Sequence, residues 1–206
     1  MSLLRALAAA LVAGGIAASV GSVVVSAHTA TPGSAPRYDA AGRLIPPTDY
    51  REWVFLSSGL DMSYSEGAAA PDMHMFDNVF APREAYEAFK RTGSWPDKTV
   101  LILESRGGTS NGSINKRGHF QTGEVMGLEA HVKDTTRFQG GWGFFGFDDG
   151  KPAAQIPYKA ACYACHQAHG AADTTFAQFY PTLLPIATKR GTLNPSYVAE
   201  TSPPKP

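Results

Sequence analysis

The residues Cys162-Tyr163-Ala164-Cys165-His166 constrain this chain more than any other stretch. They hold both of its cysteines, and a histidine directly follows the second. The C-x-x-C-H spacing is the attachment signal of a c-type haem. Two thiols so placed on one turn reach two neighbouring vinyl groups of one porphyrin edge. The next residue then lies beneath the ring, where an imidazole nitrogen ligates iron. Two other readings compete. A zinc site would need two further soft ligands, and no other cysteine exists. A thioredoxin-like redox pair follows a strand and opens a helix in a βαβ unit, and too little chain remains after Cys165 to build one. The expectation is one covalently attached haem c held by Cys162, Cys165 and His166, with His166 as the iron ligand.

The address agrees with that chemistry. After Met1-Ser2-Leu3-Leu4-Arg5 comes an apolar run from Ala6 to Val25 broken only by Gly and Ser, then the small residues of Val25-Ser26-Ala27. Residues 1–27 read as a secretory signal peptide. The folded part is then expected in the periplasm, where bacteria attach haem to c-type cytochromes. The alternative is an uncleaved membrane anchor, because the run nearly reaches bilayer-spanning length. Removal of the signal leaves roughly 180 residues, enough for one domain. Formal net charge is zero. There is no basic run and no helix with one basic face, so nothing calls for nucleic acid or an anionic membrane.

Along the chain, residues 28–48 are rich in Ala, Thr, Pro and Gly and read as a flexible linker or loosely docked arm. The haem domain spans 49–187, and residues 188–206 read as a flexible tail. Strands are expected over Arg51–Leu56 and Met75–Phe80, with a long loop over 57–72. A short helix follows over Arg83–Arg91, where Ala85, Tyr86, Ala88 and Phe89 recur at helical spacing and Gly93 ends the run. Lys98–Glu104 is an apolar strand. Residues 107–118 form a hairpin loop or flap, Gly123–Lys133 a strand, and Trp142–Phe147 an aromatic strand. The haem motif falls on a helix over Tyr158–Gln167. Asp173 reads as the N-cap of a last helix carrying Phe176, Phe179, Tyr180 and Leu183, which Pro181 kinks or ends. The sum is an α+β domain: an antiparallel sheet of about five strands with helices on one side and a C-terminal haem-attachment helix.

This order of parts resembles the cytochrome P-460 family, which includes the cytochromes c′-beta. The resemblance runs from about Tyr50 to Leu184. It is carried by Asp49-Tyr50-Arg51-Glu52-Trp53-Val54, by Asn78-Val79-Phe80 with Tyr86 and Lys90-Arg91-Thr92-Gly93, and by Gly127-Leu128-Glu129-Ala130 with Val132-Lys133-Asp134. Cys162 to His166 and Phe176 with Phe179-Tyr180-Pro181 complete it. It implies a single haem c, His166 as proximal ligand, an open distal iron face and often a homodimer. Members that oxidise hydroxylamine carry a lysine cross-linked to the porphyrin. An ungapped match puts Leu103 at that position; the lysine-free condition resembles the c′-beta branch, which binds nitric oxide and carbon monoxide without a cross-link.

Glu129 matches the family's distal carboxylate, a general base for a proton leaving a nitrogen or peroxide ligand. Strand alternation puts it on one face with Gly127, His131 and Lys133; the competing reading is the wet face of an edge strand. Met62, Met73, Met75, Met126, His74, His119, His131 and His169 are candidate sixth ligands. His169 follows His166 too closely to cross the ring, and His74 is the strongest distal candidate. The functional expectation is an exported monohaem cytochrome that binds a small gaseous or nitrogenous ligand, nitric oxide first. The alternatives are a hydroxylamine-oxidising or peroxide-using enzyme with Glu129 as proton acceptor, and an electron carrier serving a soluble redox partner.

Overall fold

In the computed structural model, residues 34–64 and 73–203 are described. The signal peptide expected over 1–27 lies outside them. Five strands form one antiparallel sheet in chain order: β1 Val54–Leu60, β2 Met75–Ala81, β3 Val100–Thr109, β4 Phe120–Lys133 and β5 Trp142–Phe147. The helices are α1 Arg83–Thr92, α2 Ala161–His169, α3 Leu184–Arg190 and α4 Pro195–Thr201. The architecture is α+β, as the alternating and aromatic runs require.

The pleat splits the apolar residues between two cores. On one face Leu101, Trp142, Phe144 and Ala81 pack against Ala85 and Phe89 of α1, Tyr163 of α2 and Ala187 of α3. On the other, Val100, Ile102, Ala130, Val132 and Phe145 pack under Leu44, Tyr50 and Ala153. The helices therefore cover one side, and an irregular arm closes the other.

That arm corrects the reading of 28–48 as a flexible linker, insofar as its residues are described. Leu44 is 1% exposed and exchanges two backbone hydrogen bonds with Ala153, at 2.8 and 2.9 Å. Arg137 lies over the Tyr38 ring at 3.8 Å and donates to the Gly42 carbonyl at 2.9 Å. Large apolar residues are few here, but each is seated. The tail over 188–206 is likewise folded through Thr201. The Asn194 side chain donates to the Gly170 carbonyl at 2.6 Å and its backbone to Ala171 at 2.8 Å. Thr192 donates to the Gly93 carbonyl at 2.7 Å.

Three boundaries also differ. Tyr50–Glu52 is a 3₁₀ turn with Tyr50 buried, so β1 begins at Val54. The polar stretch after Glu104 continues the ladder to Thr109 opposite Phe120, leaving a shorter loop at the hairpin tip. Most consequentially, no helix starts at Asp173. Asp173 and Thr174 both have positive φ, 51° and 59°, and a 3₁₀ turn over Ala177–Phe179 precedes α3.

Candidate functional site

The helix-side face of the sheet supplies half of the site. Pairing register sets Val79, Leu103, Glu129 and Gly146 in one row across β2, β3, β4 and β5. Because β4 lies between β3 and β5, Glu129 is on an interior strand and not on an edge. The neighbouring row holds Leu101, His131 and Phe144. Leu101 and Phe144 are buried, whereas Glu129 and Gly146 are exposed. A Cβ added at Gly146 would meet no atom within 4 Å. The sheet is therefore packed beneath the helices and open one row further along.

Helix α2 borders this opening. Tyr163, between the two cysteines, is its buried anchor. Its ring lies 4.3 Å from Tyr158 and 6.2 Å from Phe144, and its hydroxyl donates to the Gly140 carbonyl at 3.3 Å. Gly140 has φ 73°, and a side chain there would overlap the Tyr163 hydroxyl, so glycine is required twice over. With Tyr163 turned inward, Cys162 is exposed and Cys165 half-buried, both as free thiols.

His166 is held on four sides. Its Nδ1 lies 3.1 Å from the Thr174 carbonyl oxygen. A carbonyl only accepts, so Nδ1 carries the proton and Nε2 keeps its lone pair. The ring stacks on Phe176 at 4.1 Å, meets His131 edge-on at 4.5 Å and lies 4.9 Å from Phe144. Burial pushes its imidazole down to about 4, against a smaller upward pull from the Thr174 hydrogen bond. Burial also pushes His131 well below the ordinary range, and His166 adds to the effect. Both rings are neutral at pH 7, the state in which imidazole ligates a metal.

Glu129 is exposed by area, yet enough protein surrounds it to raise its carboxyl above the ordinary value, with Asp77 adding to the rise. Its carboxyl is thus partly enclosed by protein while its side chain still reaches solvent. Tyr64 lies in the same neighbourhood. Its ring lies 5.9 Å from Phe176, and its phenol is raised by burial and then by Asp77, Cys165 and Glu129. Four groups that share one electrostatic neighbourhood tie the sheet's carboxylate to the cysteine helix.

The other ligand candidates differ in their surroundings. His74 Nδ1 is 2.6 Å from Asp61 Oδ2, and its ring lies 3.7 Å from that of His119. His169 pairs with Glu200 at 3.0 Å. His131 touches His166 itself. Met62, Met73, Met75 and Met126 are exposed.

Sequence reasoning named Cys162, Cys165, His166 and Glu129 as site candidates and did not name Tyr64, Asp77, Thr174 or the ring contacts of Phe176 and His131 with His166. Alternation did set His131 beside Glu129; nothing local signalled that His166 would meet it.

The donor set fits a porphyrin. Two accessible thiols on one helix adjoin a neutral imidazole with a free Nε2, beside a half-apolar row that leaves space above Gly146. It does not fit the competing readings. Among the described residues no three His, Cys, Asp or Glu side chains gather as metal ligands, and α2 follows no parallel βαβ unit. A comparison with curated proteins finds no match. The family model described as Cytochrome P460 matches residues 47–177, which run from just before the buried 3₁₀ turn at Tyr50 through α2 to the ring of Phe176. The chain belongs to the cytochrome P460 family of haem-binding cytochromes.

Proposed function

We propose that this protein is an exported c-type cytochrome with one haem, which binds small ligands such as nitric oxide at an open iron face. Cys162 and Cys165 would hold the porphyrin through thioether bonds, and His166 Nε2 would ligate the iron. The bound haem supplies an iron that takes a small ligand and exchanges electrons. The observation that carries the reading is the state of His166. Its Nδ1 is committed to Thr174, so one nitrogen is offered, while His74, His119 and His169 have partners elsewhere and His131 packs against the His166 ring itself. Val79 and Leu103 would exclude water beside the ligand.

A second reading, turnover of hydroxylamine or peroxide, is favoured by Glu129, whose raised carboxyl can accept and hold a proton beside the open row. Leu103 pairs with Glu129 across β3 and β4. It offers no amine where the resemblance puts the cross-linking lysine, and this ranks ligand binding first. Export rests on the reading of residues 1–27. Among the described residues, no helix is long and apolar enough to cross a membrane. A soluble redox partner and a homodimer are part of the same proposal.

The test is the visible spectrum of the purified protein, oxidised and reduced, with and without nitric oxide. A five-coordinate high-spin iron that takes up the ligand is expected. A six-coordinate low-spin iron that refuses it would overturn both readings and leave an electron carrier.

A further inference from the structure

The segment that fixes the His166 tautomer is held in an unfavourable backbone conformation through partners far away in sequence. Ala172 and Thr175 form an isolated bridge, with Asp173 and Thr174 between them. Positive φ at both central residues is the pattern of a type I′ turn, which favours Asn and Gly. Asp tolerates the left-handed region. Thr, β-branched, is a genuine outlier there. Thr174 is also the residue whose carbonyl receives the proton of His166 Nδ1.

What holds the turn is the Asp173 carboxylate. Its Oδ2 accepts from the Trp95 backbone N–H at 2.9 Å and from Lys133 Nζ at 2.6 Å. Its Oδ1 accepts from Trp142 Nε1 at 3.4 Å. Lys133 also donates to the Trp95 carbonyl at 2.7 Å. A second tie runs through Thr175, whose hydroxyl accepts from Trp95 Nε1 at 3.1 Å and donates to the Ala172 carbonyl at 2.7 Å. Trp95 and Trp142 are each 2% exposed. The turn is thus bolted to the ends of β4 and β5 and to the segment after α1, none of which touches His166 through these atoms. Backbone strain of this kind persists only where the surroundings over-determine it.

We propose that Asp173 is a positioning residue for the proximal histidine. Clamped to Lys133, Trp95 and Trp142, it keeps Thr174 in its strained conformation so that the Thr174 carbonyl stays on His166 Nδ1. The proposal rests on the reading of His166 as the iron ligand. A hydrogen bond to the far nitrogen of a ligating imidazole fixes the ring and raises its basicity. Asp173 therefore tunes the iron without touching the haem.

The test uses the haem-loaded protein and two readouts: the iron–histidine stretching frequency by resonance Raman, and the reduction potential. In Asp173→Ala the turn relaxes, Nδ1 loses its acceptor, the stretch moves to lower frequency and the potential rises. Lys133→Gln, which removes the strongest partner of Asp173, moves both in the same direction by less. Thr174→Gly keeps the carbonyl and removes the strain, so it leaves both in place. The double variant Asp173→Ala/Thr174→Gly recovers the wild-type values, because glycine holds the turn without a clamp. A loaded Asp173→Ala or Lys133→Gln protein with unchanged stretch and potential overturns the proposal; if the former does not load, the latter decides it. Failure of the underlying reading looks different. There the wild type lacks an iron–histidine stretch, or His166→Ala leaves the spectrum unchanged, and the assignment of Asp173 falls with it.

Discussion

Glu104 and Glu129 sit on adjacent strands, one on each face of the sheet, and their surroundings push them in opposite directions. Glu104, 2% exposed, accepts from Arg51 Nε and Nη2 at 2.8 and 2.6 Å, from Arg106 Nε at 2.5 Å and from the Tyr50 hydroxyl. Burial pushes its carboxyl up, but the hydrogen bonds of Arg106, Tyr50 and Arg51 outweigh that and hold it below the ordinary value. Glu129 has surrounding protein, a like-charged Asp77 and no cation among the groups that shift it, and it is raised. The arm side is completed by the chain itself, with its buried charge fully partnered. The helix side is left with a neutral imidazole, two free thiols and an open row. A buried charge needs partners to fold, whereas an open row is left to solvent or to a bound group.

The strongest way to break the contrast is to stop the helix side from being finished. Cys162→Ala with Cys165→Ala leaves the ring to non-covalent binding, so haem extracts from the denatured protein and no haem mass stays on the chain. The stability linked to a bound ligand, about 4 kcal/mol at a thousand times its dissociation constant, then depends on free haem and disappears from the thermal transition once haem is removed. The arm-side core should be unchanged, as seen in the protection of β3 amides. Heme-independent melting in wild type and variant alike would show the helix side to be self-sufficient.

The arm side breaks from within. Glu104→Gln removes the carboxylate that satisfies two guanidinium groups and a phenol, at a cost of about 3 kcal/mol measured by denaturant unfolding. Its pH dependence follows from the lowered carboxyl. In the wild type the contribution is present above the unfolded value near 4.5 and is lost as pH falls through the lower native value. The variant should lack that part of the acid transition. An acid limb of identical shape in both proteins would remove Glu104 as its source.

How much of this was legible follows from where the information lies. β2, β3 and β5 were readable because their apolar and aromatic runs are local, and α1 because its spacing and Gly93 are. The haem motif is a five-residue signal, and alternation alone set Glu129 with His131. Asp173 misled because a carboxylate before an apolar run looks like an N-cap, while its partners Trp95, Lys133 and Trp142 lie 78, 40 and 31 positions away. The Glu104 cluster was invisible for the same reason: Arg51 is 53 positions distant. The arm and tail looked flexible because few apolar residues hold them, yet backbone groups in both are bonded to the core.

Two glycines sharpen the contrast between packed and open parts of the helix side. A Cβ on Gly170 would stand 2.5 Å from the His166 carbonyl oxygen and 3.0 Å from the Thr175 backbone N and O. Backbone on both sides cannot yield as a side chain would. Gly170→Ala should therefore cost about 2 kcal/mol and disturb the Soret band through His166. Gly146→Ala, with nothing near its Cβ, should cost far less before haem is loaded. Equal losses would mean that the row beside Glu129 is already packed.

The smallest effect tests the sign of the comparison. Glu129 is raised, so its protonated form is favoured by folding. The stability it contributes is fully present below the unfolded value near 4.5 and is lost as pH rises through the raised native value. At neutral pH the ionised carboxylate is a small burden, screened because the group is open to solvent. Glu129→Gln should then leave the haem-free protein equally stable or more stable at pH 7, by less than about 1 kcal/mol, with no gain at pH 4. This is the reverse of Glu104→Gln. The same substitution should leave nitric oxide uptake intact while abolishing any hydroxylamine turnover that needs a proton acceptor, because an amide keeps the shape and loses the base. Destabilisation at pH 7 comparable to that of Glu104→Gln would place Glu129 among the structural carboxylates. The open row would then hold no general base, and ligand binding would stand without its enzymatic rival.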